Sequence, residues 1–319
     1  MSETVVFLDA STIGPGVTVR RPGFAHEWSE YDRTEPEQTA QRLQDATIAI
    51  TNKVAIDAAV LKQAPRLKLI AVAATGYDVI DMQACKANNV AVTNVRGYAV
   101  NTVPEHTFSL ILALRRNLIE YRQQVLDGMW VSSGQFCFFN RPIRDLAGST
   151  LGIIGAGSIG QAVGTVGAAF GMKVRYFDAY AKSAPATGEL VSLEELRDTA
   201  DVLTCHCPLT DETRNLVDAA FLDGMKSTAI VINTARGGII DEDALVKALR
   251  RGGIAGAGID VTAVEPAPMD GAMMQAAAMP NVVLTPHVAW ASVGAMQGLC
   301  DQMIDNIEGF IAGEPRNLV

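Results

Sequence analysis

The chain reads as an α/β protein built from two doubly wound parallel-sheet domains, Rossmann-like or flavodoxin-like, with a cleft between them. Three observations predict this. Short apolar runs rich in β-formers alternate with helical stretches along nearly the whole length, the pattern of parallel sheets with crossover helices. Runs such as IIGAG and AIVI are continuously apolar, as in strands covered on both faces. The strands also fall into two sets, one before residue 96 and one after residue 149.

The first set is TVVFLDA, ATIAIT, RLKLIAVAA and NVAVTNV. The second is TLGIIGAG, KVRYFDA, DVLTCHCP, TAIVINTA, AGAGIDV and NVVLTPH. Helices are expected at 54–64, 104–126, 158–170, 193–199, 241–252 and 294–312. Thr102 and Glu105 stand three apart with Pro104 between them, which predicts a capping box at the start of the long helix. That helix is expected to bridge the lobes, and the last one to return to the first lobe. The expected division is 1–98 plus 290–319 against 99–289. Residues 130–142, WVSSGQFCFFNRP, read as a loop or arm.

Composition narrows the function classes. The 319 residues are 49% hydrophobic and 19% charged, with a net charge of −9. Such a chain can bury a sizeable core without disulfides or metals. Its acidity disfavours nucleic acid and anionic membranes as partners. The N-terminus resembles a strand more than a secretory signal, and no apolar run reaches the roughly 18 residues of a membrane span. Five scattered cysteines read as reduced thiols in the cytoplasm.

Gly155-Ala156-Gly157-Ser158-Ile159-Gly160 matches G-x-G-x-x-G between an expected strand and helix. The first glycine suits a tight turn and the second a close phosphate. The third suits helix–strand packing, and the helix start stabilises the anion. Asp178 ends the next strand, 18 residues beyond Gly160, where a carboxylate binds ribose hydroxyls and repels a 2′-phosphate. NAD is therefore expected and NADP disfavoured. By contrast, Gly14-Pro15-Gly16 lacks a third glycine and a following helix.

Arg236, Asp260, Glu265 and His287 lie at or beyond late strand ends, where such sheets place ligands. An arginine fork fits a carboxylate, an imidazole exchanges protons near neutral pH, and a carboxylate stabilises the imidazolium. Cys205-His206-Cys207 has no second Cys/His pair, so packing is preferred over a metal site. His106, in the first turn of the long helix, reads as structural or as a support for the site residues from behind.

In these segments the sequence resembles the D-2-hydroxyacid dehydrogenase family over nearly its full length. TNKV (51–54), FCFF (136–139) and HVAWAS (287–292) are most similar to its glycerate dehydrogenase or hydroxypyruvate reductase branch. The resemblance implies a 2-keto acid reductase acting on hydroxypyruvate or glyoxylate, with 1–98 plus 290–319 binding substrate and 99–289 binding NAD. It assigns the substrate carboxylate to Arg236 and to the Thr75 and Gly76 amides. Proton transfer falls to His287 and its pairing to Glu265. Asp260 would meet the nicotinamide carboxamide. Thr102, Thr234 and Ala235 would lie near the nicotinamide, and Cys207-Pro208 near the adenosine. Trp290 would shape the pocket, and 130–142 would be a homodimer arm. Two alternatives stay open. One is another family substrate, such as D-lactate-like acids, phosphoglycerate or phosphite. The other is an NADH-sensing corepressor-like protein.

Overall fold

The structure is a computed structural model and describes residues 2–319. The chain divides into a smaller unit, running to Ala99 and joined by Ala291–Val319, and a larger unit, Val100–Trp290.

The smaller unit holds five strands: β1 Glu3–Phe7, β2 His26–Glu30, β3 Ile48–Thr51, β4 Leu69–Val72 and β5 Ala91–Thr93. Their order is β2-β1-β3-β4-β5, and every pairing is parallel. This is the flavodoxin-like order, with its switch point between β1 and β3. Ile48, Ile50, Leu69 and Ile70 are wholly buried. Each such aliphatic side chain contributes roughly 1.5–3 kcal/mol. The terminal helix Val293–Ile311 belongs to this unit.

The larger unit holds β6 Thr150–Ile154, β7 Lys173–Phe177, β8 Glu189–Leu190, β9 Val202–Cys205, β10 Ile230–Asn233, β11 Gly256–Ile259 and β12 Val282–Leu284. The order is β12-β11-β10-β9-β6-β7-β8, again with only parallel pairings. The order reverses between β6 and β9, and a ligand crevice opens beyond the strand C-termini at such a reversal. The central strands β9 and β10 are buried throughout, and β6 is buried from Leu151 on, which gives the loops above them a rigid base.

Two strands escaped the sequence reading. β2 is HEWSE, a polar edge strand with no fully buried residue. β8 has only two residues. Helices Pro36–Leu43, Met82–Ala87, Met129–Ser133, Ala219–Gly224 and Ala272–Ala276 were also missed, each too short for a clear helical period; Met129–Ser133 puts a helical turn at the start of the segment 130–142 expected to be a loop or arm. The helix expected at 104–126 is two: Thr102–Arg115 and Leu118–Leu126. Asn117 separates them in the left-handed region, at φ 52°. The expected capping box does not form. Asn101 is the N-cap without a side-chain bond, because the Thr102 hydroxyl donates instead to the Ala289 carbonyl at 3.2 Å.

Candidate active site

The glycine turn lies between β6 and the twelve-residue helix Ser158–Ala169. Gly155 has φ +101°, and a Cβ there would stand 2.7 Å from the His206 carbonyl and the Cys207 amide. Both facts require glycine. A Cβ on Gly160 would stand 2.0 Å from the Gly155 oxygen. Gly157 is the opposite case, with no atom within 4 Å of its Cβ position. It is the helix N-cap and supplies no side-chain cap. The first helical amides thus face open space with a partial positive charge, which suits a pyrophosphate.

Asp178 follows β7. Its Oδ2 accepts from the Ala156 amide at 2.8 Å, and its Oδ1 from the Tyr180 amide at 2.9 Å. The carboxylate therefore ties the glycine turn to the end of β7. A carboxylate has about four acceptor positions, so capacity is left for ribose hydroxyls. The residues present fit NAD. Cys207 is half-buried and Pro208 exposed, both just beyond β9. Burial pushes the Cys207 thiol up to about 11 and the His206 imidazole down to about 3. Cys205 packs in the apolar core. Among the described residues, no three His, Cys, Asp or Glu side chains converge as metal ligands.

Arg236 stands just past β10 in extended backbone. Asn233 shapes this turn: its amide donates to the Arg236 carbonyl at 2.8 Å and accepts from the Ala235 amide at 3.0 Å. The Arg236 Nη1 donates to the Ala235 carbonyl at 2.8 Å. Thr234 is buried and pairs with Thr107 at 3.0 Å. Gly237 then meets the 262–263 backbone, where a Cβ would lie 2.0 Å from the Thr262 carbonyl carbon. Only glycine lets the Arg236 turn touch the loop that carries Glu265.

Glu265 and His287 form the central pair. His287 Nδ1 and Glu265 Oε2 are 2.6 Å apart. The other Glu265 oxygen accepts from the Thr262 amide at 3.1 Å. The His287 side chain keeps 25% of its surface and that of Glu265 keeps 35%, so the pair remains reachable. Glu242 pins the same loop by accepting from the Ala263 amide at 2.6 Å. Burial raises its carboxyl above the usual range, against the pull of that amide, and Asp243, Asp241 and Glu265 add like charge. His287 itself has φ +54°, a region sparsely used outside glycine and often found at working sites.

Asp260, the residue expected at the nicotinamide carboxamide, is held by donors from the Thr285–Ala289 segment. Its side chain has no exposed surface. Oδ1 accepts from the Thr285 hydroxyl at 2.6 Å and the Val288 amide at 2.9 Å; Oδ2 accepts from the Ala289 amide at 2.9 Å. A buried carboxylate must be satisfied in this way. Asn233, Glu242 and Thr285 were all missed in the sequence. Their roles come from partners on neighbouring strand ends, which no local motif marks. Trp290 donates its Nε1–H to the His287 carbonyl at 3.0 Å. Thr75 and Gly76 lie in the smaller unit, on the loop after β4, where the Thr75 hydroxyl donates to the Val95 carbonyl at 2.7 Å.

An uncapped glycine turn of a doubly wound sheet, with an imidazole–carboxylate pair at the ends of its later strands, defines an NAD-dependent oxidoreductase. Comparison with known proteins agrees. Residues 108–289 match the profile of the D-isomer specific 2-hydroxyacid dehydrogenase NAD-binding domain. The chain is 52% identical to the glycerate dehydrogenase of Methylorubrum extorquens over 320 aligned positions, covering 100% of this chain and 99% of that one. It is 35% identical to the hydroxypyruvate reductase of Blautia hydrogenotrophica, covering 99% of each. The crystal structure of Aquifex aeolicus D-lactate dehydrogenase with NAD and lactic acid superposes with a TM-score of 0.83 at 28% identity, covering 97% of this chain and 96% of that one. The chain belongs to the D-isomer specific 2-hydroxyacid dehydrogenase family.

Proposed function

We propose that the protein uses NADH to reduce hydroxypyruvate or glyoxylate to D-glycerate or glycolate. The observation that carries this reading is the His287–Glu265 pair at 2.6 Å. The glycerate dehydrogenase and hydroxypyruvate reductase relatives support the choice of substrate.

Glu265 accepts the proton on Nδ1, which leaves Nε2 as the nitrogen that exchanges with substrate. His287 gives its Nε2 proton to the carbonyl oxygen as that oxygen becomes a hydroxyl, and removes it in the reverse direction. Glu265 stabilises the imidazolium before transfer. Bound NADH supplies the hydride to the carbonyl carbon. Arg236 pairs its planar fork with the substrate carboxylate and polarises the carbonyl. Thr75 and Gly76 are assigned to the same carboxylate through backbone amides, and Trp290 to the substrate pocket.

For the cofactor, Gly155, Gly157, Ser158, Ile159 and Gly160 are assigned to the pyrophosphate and Asp178 to the ribose hydroxyls. Cys207 and Pro208 take the adenosine side, and Thr102, Thr234 and Ala235 the nicotinamide side. The charge of Asp178 disfavours NADPH. The assay is NADH oxidation with hydroxypyruvate, glyoxylate, pyruvate and longer 2-keto acids, repeated with NADPH. The first two should give the highest kcat/KM. A preference for pyruvate or bulkier acids would overturn the substrate assignment, and a preference for NADPH the role of Asp178.

No helix among the described residues is long and apolar enough to cross a membrane. We place the protein in the cytoplasm, a reading supported by five unpaired cysteines. We also propose a homodimer joined through the arm. Val131, Phe136 and Phe139 are 85%, 93% and 73% exposed, and such an apolar patch marks a protein contact. Light scattering on the purified chain should give twice the chain mass.

A further inference from the structure

We propose that Asp260, Thr285 and His106 form a positioning unit that holds the loop carrying His287, without touching the reacting atoms. This rests on the reading of His287 as the proton carrier.

His287 sits in a strained left-handed conformation at φ +54°, so its neighbours must hold it there. Its own amide donates to the Asp260 carbonyl at 2.8 Å and to the Thr285 carbonyl at 3.1 Å. The next two amides, of Val288 and Ala289, go to the two oxygens of the Asp260 carboxylate, each at 2.9 Å. One buried carboxylate thus gathers the backbone on the C-terminal side of His287.

Thr285 completes the grip on the N-terminal side. A hydroxyl has one proton, and Thr285 gives it to Asp260 Oδ1 at 2.6 Å. Its 3.0 Å contact with His106 Nε2 must then run the other way, with His106 donating. The same Nε2 lies 3.5 Å from Asp260 Oδ1. His106 is therefore protonated on Nε2 and faces the carboxylate with that proton. Thr102, four residues earlier on the same helix face, donates its hydroxyl to the Ala289 carbonyl at 3.2 Å. The helix holds the loop at two points one turn apart.

These contacts assign the residues distinct jobs. Asp260 sets the backbone path, Thr285 orients Asp260, and His106 satisfies Thr285. A displacement of about 1 Å at a reacting group can cost on the order of a hundredfold in rate, so loss of the Thr285 hydroxyl should be felt in kcat.

The test is Thr285→Val in the full chain, with Thr285→Ser as the rescue. Thr285→Val should lower kcat by about tenfold to a hundredfold and leave KM for NADH within about twofold. Amide exchange at Val288 and Ala289, measured without cofactor or substrate, should speed up. Thr285→Ser should restore kcat and protection together. The unit is refuted if Thr285→Val keeps wild-type kcat, if kcat falls while exchange at Val288 and Ala289 stays at the wild-type rate, or if serine rescues neither. If Thr285→Val does not fold, His106→Leu removes one donor outside the loop and should show the same pattern, more weakly; wild-type kcat and exchange there would refute it. Exchange needs no turnover. A wild-type chain inactive on every 2-keto acid would sink the proposed function, and the exchange result would still decide the unit.

Discussion

The two units share an architecture and differ in what stands at their first strand ends. Each is a parallel sheet with an order reversal. In the larger unit, β6 runs through an uncapped glycine turn straight into a twelve-residue helix. In the smaller one, β1 is followed by the short turn Ala10–Thr12, and no α-helix lies before β2. Without that helix there is no row of free amides for a pyrophosphate. The smaller unit's strand-end carboxylate, Asp9, is buried and accepts from the Asn52 and Lys53 amides. Asp178 closes the glycine turn and stays partly open. A parallel sheet thus offers a place for a nucleotide, but an uncapped helix start makes the site.

Three experiments test this contrast. The largest effect is expected from paired histidines. His287→Ala should lower kcat by roughly 10²–10⁴-fold, the usual contribution of general acid–base catalysis. In the smaller unit, the His26 side chain pairs with the Phe24 carbonyl through Nδ1, and His26→Ala should leave turnover unchanged. Steady-state NADH oxidation compares them, and equal losses would erase the functional division.

Paired glycines come next. A Cβ on Gly160 would collide with the Gly155 oxygen at 2.0 Å. Gly160→Ala should therefore lose most NADH affinity, read by fluorescence titration, and destabilise the chain by about 1–3 kcal/mol. Gly16 has positive φ, unlike Gly160, and its nearest neighbour, Val293 Cγ2, is 4.0 Å from the Cβ position. Gly16→Ala should cost only the strain of its backbone, about 1–2 kcal/mol, with NADH affinity unchanged.

The smallest effect concerns two carboxylates of opposite sign. Burial pushes Asp201 up, but the Thr150 amide and Lys226 outweigh it and hold the group below its usual range. Its stabilisation is present above the unfolded carboxylate pKa and fades as pH falls through the lower folded value. Asp9 is raised, because burial outweighs the Lys53 and Asn52 amides. Its contribution is present below the unfolded pKa and fades as pH rises through the higher folded value. Melting temperature against pH should therefore fall less steeply in acid for Asp201→Asn than for wild type, and more steeply for Asp9→Asn. Parallel curves would remove the distinction.

Much of the larger unit was legible because its signals are local. The glycine turn, Asp178 and the late strand ends with Arg236, Glu265 and His287 each sit in a short stretch with a recognisable pattern. β2 was missed because HEWSE has no apolar alternation. The helix break at Asn117 was missed because apolar residues resume at Leu118 and Ile119 directly after the polar Arg115-Arg116-Asn117. Thr102 looked like a cap because Glu105 follows at the right spacing, yet its hydroxyl bonds to a residue 187 positions away.

Local sequence sets the alternation that yields two parallel sheets, the glycine turn in the second, and the side chains available for proton transfer and anion binding. These follow from backbone preference and residue chemistry, which act over a few positions. Tertiary structure alone decided which way each polar group turned. It set His287 2.6 Å from Glu265 and folded Asp260 inward onto amides 28 and 29 residues away. A carboxylate has no direction of its own; the donors that neighbouring strand ends bring beside it set one, and burial then makes every unmet bond costly.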